Sequence, residues 1–192
     1  LTELVAAAEK NPYMGLLGPV VYDYNKQNVV RGTGSGLKIS WWRGVPVSFR
    51  SNQIGQEGNG IREADFIEGS CMLVRRNVIN KVGLLDAAYF AYWEETDWCV
   101  RIKSAGYKIC CVLSSKIWHK SPVSHLDSSK LYYLLRNDIL FMRKNANRRH
   151  MPIFLAYFLC VSLPLWTFKP FLAHPLGTTG AVARALIWHV RH

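Results

Sequence analysis

The spacing of apolar residues predicts a helix followed by a buried strand at the start of the chain. Apolar side chains recur at helical spacing over residues 1–10 and form an uninterrupted run over residues 14–22. Gly18 and Pro19 lie inside this run and predict a break in the strand, because proline cannot donate a hydrogen bond to a neighbouring strand. The polar residues 23–26 predict a turn, so the chain begins as an α/β protein.

Shorter elements are predicted between residues 27 and 60. Residues 27–43 predict two short strands joined by a turn at the glycine-rich residues 32–36. This turn lacks the glycine spacing and the final Gly-Lys-Ser/Thr of phosphate-binding loops, so we interpret it as a hairpin connection. Residues 50–60 combine glycine with polar residues and predict a surface loop.

Strand and helix patterns alternate in the middle of the chain. Residues 65–74 predict a strand interrupted by Gly69, residues 76–82 predict a short helix ending at Gly83, and residues 107–113 predict a compact buried strand. The sequence leaves two interpretations of Gly69 open: close approach of a substrate to the backbone, or a β-bulge.

The last third of the chain is predicted to be helical. Apolar side chains at helical spacing predict a long helix at residues 125–146 and an amphipathic helix at residues 178–192. Between them, the eighteen residues 151–168 carry no charge, which predicts a membrane-associated segment. Because Pro152 and Pro164 shorten any continuous helix, an interfacial or re-entrant helix is favoured over a full crossing.

Charge and composition narrow the class of partner. The 192 residues suffice for one ordinary domain, and a hydrophobic fraction of 49% excludes a disordered chain. The formal net charge of +11 predicts an anionic partner. Nucleic acid is disfavoured because no recognised binding motif is present. An anionic membrane surface is favoured because basic residues cluster just before the uncharged segment, namely Arg143, Lys144, Arg148, Arg149 and His150.

The cysteines predict a reducing compartment. Their number is odd, no Cys-x-x-Cys pair is present, and they lie within apolar segments; they are Cys71, Cys99, Cys110, Cys111 and Cys160. This pattern is typical of reduced core cysteines rather than disulfides.

The candidate chemistry lies in a predicted helix of about three turns that ends near Gly106. Glu94, Glu95 and Asp97 crowd its first turn, which suits the helix dipole. Asp97 and Arg101 are four residues apart and can pair on one face.

Two interpretations of this acidic cluster compete. In the first, the acids only stabilise the start of the helix. In the second they do chemistry, because three neighbouring acids repel one another unless a cation, a proton or a ligand compensates. Large aromatic residues flank them, so the acids should lie at the edge of an apolar wall, where a carboxyl group can have a raised pKa and act as a base. These aromatics are Tyr89, Phe90, Tyr92, Trp93 and Trp98.

Five motifs together resemble a known family. They are Gly-Ser-Cys-Met-Leu-Val-Arg-Arg at 69–76, Val-Gly-Leu-Leu-Asp at 82–86, Phe-Ala-Tyr-Trp-Glu-Glu-Thr-Asp-Trp-Cys-Val-Arg at 90–101, Ala-Gly-Tyr at 105–107 and Trp-His at 118–119. In order and spacing they resemble the acceptor-side motif of inverting family 2 glycosyltransferases, especially bacterial rhamnosyltransferase-like and galactofuranosyltransferase-like enzymes. The resemblance runs from about residue 1 to about residue 145.

The resemblance implies a partial GT-A (Rossmann-like) α/β fold. The family places an Asp-x-Asp pair after a nucleotide-binding half and just ahead of a helix like residues 1–10, and this chain contains no Asp-x-Asp. The chain is therefore predicted to lack the N-terminal nucleotide-binding half. Residues 1–123 would form the acceptor-side half, residues 124–150 a helix packing on the active site with a basic linker, and residues 151–192 a membrane-associated helical tail.

The resemblance also implies roles for the acids and for one histidine. Glu95 aligns with the catalytic base, which is more often Asp in the family, with Glu94 as the nearest alternative. Asp97 is a third catalytic candidate, although its pairing with Arg101 favours an orienting or structural role. His119 alone could be a core or a surface histidine, but the matching family histidine helps to bind a divalent metal, Mn²⁺ or Mg²⁺.

Substrate-binding candidates follow from the same comparison of motifs. Tyr92 and Trp93 offer faces on which a sugar could stack. Arg136 and Asn137 resemble an Arg-Asn pair on a helix that borders the family's active site, and an exposed polar pair is the competing interpretation. The full set of candidates is Gly69, Ser70, Tyr92, Trp93, Arg101, Arg136 and Asn137.

The predicted function is inverting transfer of a sugar, rhamnose or galactofuranose by resemblance, in cell-envelope polysaccharide synthesis. The donor would be a nucleotide diphosphate sugar, and the acceptor a glycan or a lipid-linked glycan. The protein would work at the cytoplasmic face of the membrane, either peripherally or anchored by residues 151–168, and these 192 residues alone are predicted to be inactive. The alternative is a non-catalytic, membrane-associated scaffold with a degenerate glycosyltransferase site.

Overall fold

The computed structural model describes residues 1–26, 29–32, 37–41, 45–48, 60–120 and 127–192. Most of the predicted glycine-rich turn at 32–36 and of the predicted loop at 50–60 lies outside the described residues. The chain divides into two compact units. The first comprises residues 1–39, 46–86 and 94–122, and the second comprises residues 40–45, 87–93 and 123–192.

A mixed sheet organises the first unit. Its strands are β1 (Met14–Asp23), β2 (Val30–Gly32), β5 (Ile61–Ala64), β6 (Leu73–Val74) and β7 (Lys108–His119), while β3 (Leu37–Ser40) and β4 (Val45–Ser48) pair separately. The strand order is β2-β1-β7-β5, and β6 also pairs with β1. The two long central strands, β1 and β7, run parallel, and the remaining pairings in this sheet are antiparallel.

Helices cover both faces of this sheet. They are α1 (Thr2–Lys10), α2 (Arg76–Val82) and α3 (Glu94–Ser104). Because side chains alternate between the faces of a strand, Leu16 and Leu17 enter different cores. Leu17 packs with the buried residues of α1, and Leu16 packs with those of α2 and α3. The first unit is therefore an α/β layered structure, as the apolar pattern predicts.

Strand β1 continues through Gly18 and Pro19, so the predicted break is wrong. The irregularity takes another form, since the register against β7 shifts between Pro19 and Val20. Gly18 is required for packing rather than for a turn, because a Cβ there would lie 2.2 Å from the Cγ2 atom of Ile67. The proline is accommodated by a local change of register instead of a chain break.

Two other predicted strands have different limits. Within the predicted strand at 65–74, only the two-residue β6 is a strand; residues 65–72 are irregular and follow β5, which ends at Ala64. Strand β7 extends past the predicted 107–113 to His119. In its second half, buried and exposed side chains alternate, as for Ser115 and Lys116, so the continuous apolar run that predicted the strand ends before the strand does. Helix α2 ends as predicted at Gly83, whose φ of +80° favours glycine.

The second unit is helical in its C-terminal part. It contains α4 (Ser128–Asn145), α5 (Met151–Tyr157), α6 (Leu163–Ala173) and α7 (Pro175–Arg191), with a 3₁₀ turn at Arg148–His150 and a π-helical segment at Phe158–Ser162. Asp127 caps the first turn of α4, where its side chain accepts a hydrogen bond from the backbone N–H of Lys130. Helix α7 packs against α4 and α6, and its buried Ala181 and Ala185 allow close approach.

The uncharged segment forms one continuous helical run. Arg148–Phe168 spans 21 residues with a mean hydropathy of 1.8, so by length and composition it could cross a membrane. Pro152 lies in the first turn of α5 and Pro164 follows the π-helical segment. The π-helical segment coincides with the place where Pro164 cannot donate a backbone hydrogen bond, which lets the helix continue past the proline.

Candidate active site

The start of α3 carries carboxyl groups with unused oxygens. The helix begins at Glu94, and Glu94 and Glu95 are both half-buried. In the described part of the chain, the Oε2 atom of each is buried and has no hydrogen-bond partner. Glu68, in the irregular segment after β5, has a buried and unpartnered Oε2 as well. All three residues belong to the first unit. A buried carboxyl oxygen without a hydrogen-bond partner is costly unless the group is protonated or binds a ligand or cation.

Burial gives Glu95 a pKa suited to acid–base chemistry. Loss of solvation raises the pKa of its carboxyl group from 4.5 to about 7, and the charges of Glu94 and Glu68 add to this rise. Hydrogen bonds from the backbone of Glu95 itself and of Thr96 act in the opposite direction. A base with a pKa near 7 can both accept and release a proton at neutral pH. This matches the raised pKa expected for a carboxyl group beside an apolar wall.

Gly69 lies alongside the Glu95 side chain. A Cβ built on Gly69 would lie 3.7 Å from the Cβ, Cγ and Cδ atoms of Glu95. Gly69 is part of a turn, so the β-bulge interpretation is wrong. Gly69 and Ser70 are exposed, which leaves the backbone beside Glu95 open to solvent.

Asp97 and Arg101 hold α3 in place. The predicted pair forms, since the Arg101 Nε atom donates to the Oδ2 atom of the fully buried Asp97 at 2.8 Å. The same guanidinium donates to the backbone oxygens of Val82 at 2.6 Å and Leu84 at 2.8 Å. Arg101 therefore connects α3 to the segment after α2, and its role in substrate binding stays a prediction.

Residues 87–93 of the second unit have an unusual backbone. Phe90, Tyr92 and Trp93 have φ values of +63°, +65° and +78°. This left-handed region disfavours bulky side chains and costs about 1–3 kcal/mol for each residue. Phe90 is 76% exposed and Tyr92 39% exposed, whereas Trp93 is only 8% exposed. The Trp93 ring packs on Phe141 with 4.9 Å between centroids, so Tyr92 offers more free ring surface than Trp93.

Arg136 and Asn137 are buried, which makes the interpretation as an exposed pair wrong. The Asn137 amide nitrogen lies 2.7–3.0 Å from the backbone oxygens of Tyr89, Ala91 and Tyr92. Arg136 donates to Tyr89 O at 2.7 Å, to Ala88 O at 2.6 Å and to the Asn137 side-chain oxygen at 2.7 Å. Both side chains thus bind the backbone of residues 88–92.

Sequence reasoning missed two acidic residues. Asp138 is fully buried on α4, and both of its carboxyl oxygens have no hydrogen-bond partner in the described part of the chain. Burial raises the pKa of Asp138 well above the usual range, which favours its neutral form. Glu68 is the second. Its position directly before Gly69 is the signal that could have identified it, while nothing in the helical pattern marks Asp138.

The described residues do not form a complete metal site. His119 is the half-buried last residue of β7, opposite Asp23 on β1, and its backbone oxygen accepts a hydrogen bond from Tyr24. Among the described residues, no three His, Cys, Asp or Glu side chains lie together so that they could hold a metal. The roles of His119 and of Mn²⁺ or Mg²⁺ therefore stay predictions.

Two surface cavities can be described, and both lie along α1. One of about 360 Å³ is lined by α1 and the residue before it. The other, of about 580 Å³, lies between α1, Gly60, Ile61 and the middle of β7. Neither is lined by Glu94 or Glu95. Access to the acids is therefore inferred from the exposed Gly69 and Ser70.

Comparison with known proteins finds similarity to two curated glycosyltransferases. No protein-family model matches the chain. The N-acetylglucosaminyl-diphospho-decaprenol L-rhamnosyltransferase of Mycobacterium tuberculosis is 30% identical over 139 residues, which cover 64% of this chain and 45% of that protein. The low-salt glycan biosynthesis hexosyltransferase of Haloferax volcanii is 33% identical over 91 residues, which cover 45% of this chain and 29% of that protein. The predicted resemblance to rhamnosyltransferase-like enzymes is thereby confirmed.

The matches to these relatives cover only part of each protein. The chain spans less than half the length of the curated relatives it matches. Among solved structures, GalNAc-T7 with UDP, GalNAc and Mn²⁺ aligns with a TM-score of 0.48 and 16% identity, covering 70% of this chain and 27% of that one.

Proposed function

We propose that this chain is the acceptor-side part of an inverting GT-A glycosyltransferase in which Glu95 is the catalytic base. The single observation that carries the proposal is the state of Glu95: a half-buried carboxyl group with an unpartnered oxygen and a pKa of about 7, beside the exposed Gly69. Similarity to a rhamnosyltransferase and a hexosyltransferase supports the choice of sugar transfer over other base-catalysed reactions.

The Glu95 carboxylate takes the proton of an acceptor hydroxyl group. The hydroxyl oxygen attacks the anomeric carbon of the donor sugar, and the bond from that carbon to the nucleotide diphosphate breaks. Attack from the face opposite the leaving group inverts the anomeric configuration. A raised pKa helps here, because a carboxylate with a pKa near 7 is a stronger base than an ordinary one and is still partly ionised at neutral pH. The acceptor is a glycan or a lipid-linked glycan, and the sugar is rhamnose or another hexose.

Neighbouring residues have supporting roles in this proposal. Glu94 is the alternative base, and Asp97 keeps α3 in position through Arg101. Gly69 and Ser70, which adjoin Glu95, bind the acceptor, and the stacking role of Tyr92 stays a prediction from the sequence. A divalent cation, Mn²⁺ or Mg²⁺, would neutralise the leaving diphosphate, with His119 as one ligand. The described residues supply no complete metal site, so the proposed steps use only the chain's own side chains.

The C-terminal segment associates with an anionic membrane surface at its cytoplasmic face. Large apolar side chains are exposed along it, including Leu155, Leu159, Leu165 and Phe168. The basic Arg148 and Arg149 are exposed at its start. Apolar insertion together with cationic attraction to lipid headgroups is the usual basis of interfacial binding.

The decisive test replaces Glu95 in the protein expressed from its complete gene. With nucleotide diphosphate rhamnose or hexose donors and a diphospho-polyprenyl N-acetylglucosamine acceptor, we expect Glu95→Gln to reduce transfer by at least about 100-fold while donor affinity is unchanged. The control is Glu9→Gln on α1, which removes the same charge and should retain the activity, while Glu94→Gln tests the alternative base. A loss of activity below about tenfold for Glu95→Gln would show that another residue is the base. A larger loss for Glu94→Gln than for Glu95→Gln would assign that role to Glu94.

Two further assays separate the parts of the proposal. The 192-residue chain, which contains no Asp-x-Asp, should not transfer sugar alone; robust turnover would contradict this expectation. Vesicles containing phosphatidylglycerol should bind the protein more tightly than neutral vesicles, and Arg148→Gln with Arg149→Gln should reduce that difference. Vesicle binding without transfer by the complete protein would favour the scaffold alternative.

A further inference from the structure

The backbone of residues 88–92 is held by two buried side chains of α4. We propose that Arg136 and Asn137 are positioning residues, which hold this loop in its left-handed conformation and so fix the segment that leads into Glu94 and Glu95. The catalytic part of this inference rests on the proposed function. The structural part, that these side chains hold the loop, depends only on contacts within the second unit.

The conformation of the loop is energetically costly. Phe90, Tyr92 and Trp93 all have positive φ values, which bulky aromatic residues rarely adopt. No glycine occurs between Gly83 and Gly106 to relieve the strain. Two short-range hydrogen bonds between backbone atoms are described within the loop, from Phe90 N to Ala87 O and from Ala91 N to Tyr89 O. Contacts from outside the loop must therefore maintain it.

The side chain of Asn137 supplies hydrogen-bond donors to the carbonyl oxygens of the loop. The Asn137 amide nitrogen has two hydrogens and faces three carbonyl oxygens, those of Tyr89, Ala91 and Tyr92, at 3.0, 2.7 and 2.8 Å. The backbone between these carbonyls includes Phe90 and Tyr92, both with positive φ values, so the meeting of the three carbonyls at one amide depends on this conformation. Asn137 is fully buried, so water cannot replace its donors.

The side chain of Arg136 is itself oriented by its contacts. Its Nε atom donates to the Asn137 side-chain oxygen, which directs the amide nitrogen of Asn137 toward the loop. The guanidinium group lies 5.0 Å from the ring centroids of Tyr133 and Trp188. Helix α7 supplies Trp188 and also His189, whose Nε2 atom lies 2.9 Å from the Arg136 backbone oxygen. The loop, α4 and α7 thus form one connected set of contacts.

A carboxylate in place of the amide would test these contacts most directly. Asn137→Asp keeps the size of the side chain but removes the two donors and directs a carboxylate at three carbonyl oxygens. Hydrogen exchange followed by mass spectrometry reports on the loop without requiring activity. We expect the amides of residues 90–93 to exchange at least about tenfold faster in Asn137→Asp, while the amides of α3 and α4 keep their protection.

Two variants keep the test decisive. Asn145→Asp, on the same helix but with its amide bonded to the backbone oxygen of Phe141, is the matched control and should leave the exchange of residues 90–93 unchanged. If Asn137→Asp does not fold, Arg136→Lys is used instead, because it keeps the charge and loses the forked donors; a several-fold faster exchange is expected. Unchanged exchange in the loop, or an equal effect of Asn145→Asp, would overturn the proposal.

Steady-state kinetics of the complete protein test the catalytic part. Loosening the loop should lower kcat about tenfold or more, leave the KM for the donor within about twofold, and leave the pH at which the rate is half-maximal unchanged. A change confined to KM would instead assign Arg136 and Asn137 to substrate binding. If Glu95→Gln kept full activity, the proposed function would fail while the exchange result could still hold, so the two failures are distinguishable.

Discussion

Helices α3 and α4 differ in whether their buried polar side chains have hydrogen-bond partners. At the start of α3, Glu94 and Glu95 each keep one buried oxygen without a partner among the described residues. In the middle of α4, the side chains of Arg136 and Asn137 direct their donors at backbone oxygens. Unpaired polar groups cost stability, and paired ones maintain a backbone conformation. The comparison indicates that α3 keeps groups available for a reaction, whereas α4 uses its groups to hold a loop.

Two buried aspartates, one on each helix, show the same difference in pairing. Asp97 on α3 and Asp138 on α4 are both completely buried. Asp97 has Arg101 as its ionic partner, so it can remain ionised. Asp138 has no partner for its carboxyl oxygens in the described part of the chain, and burial raises its pKa, which favours the neutral form. Removal of each should therefore have very different consequences for folding.

The largest effect on stability is expected for Asp97→Ala. This change leaves Arg101 without its counter-ion and should lower the free energy of unfolding by about 3 kcal/mol, below the upper end for buried pairs because the Arg101 side chain is 27% exposed. Urea unfolding at pH 7 measures it. Glu63→Gln is the control, since the Glu63–Lys108 pair is about half exposed and should contribute less than about 0.5 kcal/mol. Equal losses in both variants would contradict the structural role of Asp97.

Glu95 should make the protein less stable as the pH rises. Folding raises the pKa of Glu95 from 4.5 to about 7, so the folded state binds this proton more tightly than the unfolded state does. Stability is then fully present below about pH 4.5 and is lost as the pH rises through about 7. Glu95→Gln, which does not titrate, should exceed the wild type in stability at pH 8 by on the order of 3 kcal/mol and match it at pH 4. A constant difference across this range would show that Glu95 titrates normally.

Glu68 should change the pKa of Glu95 without acting as the catalytic base itself. Its negative charge adds to the rise in the pKa of Glu95, so Glu68→Gln should lower that pKa. The acid limb of the rate–pH profile should then move to lower pH by roughly half a unit. Glu9→Gln, on α1, is the matched change of one charge and should leave the profile where it is. A shift to higher pH would show that Glu68 acts on Glu95 in another way.

The smallest effect is expected for Asp138→Asn. Because burial without a partner favours the neutral form of Asp138, an amide of nearly the same size should change the free energy of unfolding at pH 7 by less than about 1 kcal/mol. Urea unfolding beside the Asp97→Ala variant measures both changes on one scale. A loss above about 3 kcal/mol would mean that Asp138 is ionised and paired, which would remove the contrast between the two aspartates.

The prediction from sequence was most accurate where local patterns decide the structure. Helices at residues 1–10 and 76–82 and the acid-rich start of α3 follow from apolar spacing and end residues, and they were confirmed. The predicted strand at 65–74 was wrong, because Ile67 packs against Gly18 of a distant strand and the segment folds irregularly to reach it. The pairing of Asp97 with Arg101 was predictable because both lie on one helix face.

The sequence by itself determined the α/β pattern, the basic and apolar C-terminal region, and the position of the acids at the start of a helix. Only the tertiary structure decided which polar groups are paired. Glu68 lies far from Glu95 along the chain, as Asn137 does from residues 89–92, and no local rule connects such positions. The physical reason is that burial and hydrogen bonding depend on which distant segments pack together, and these contacts raise the pKa of Glu95 and make Asn137 a support for the loop.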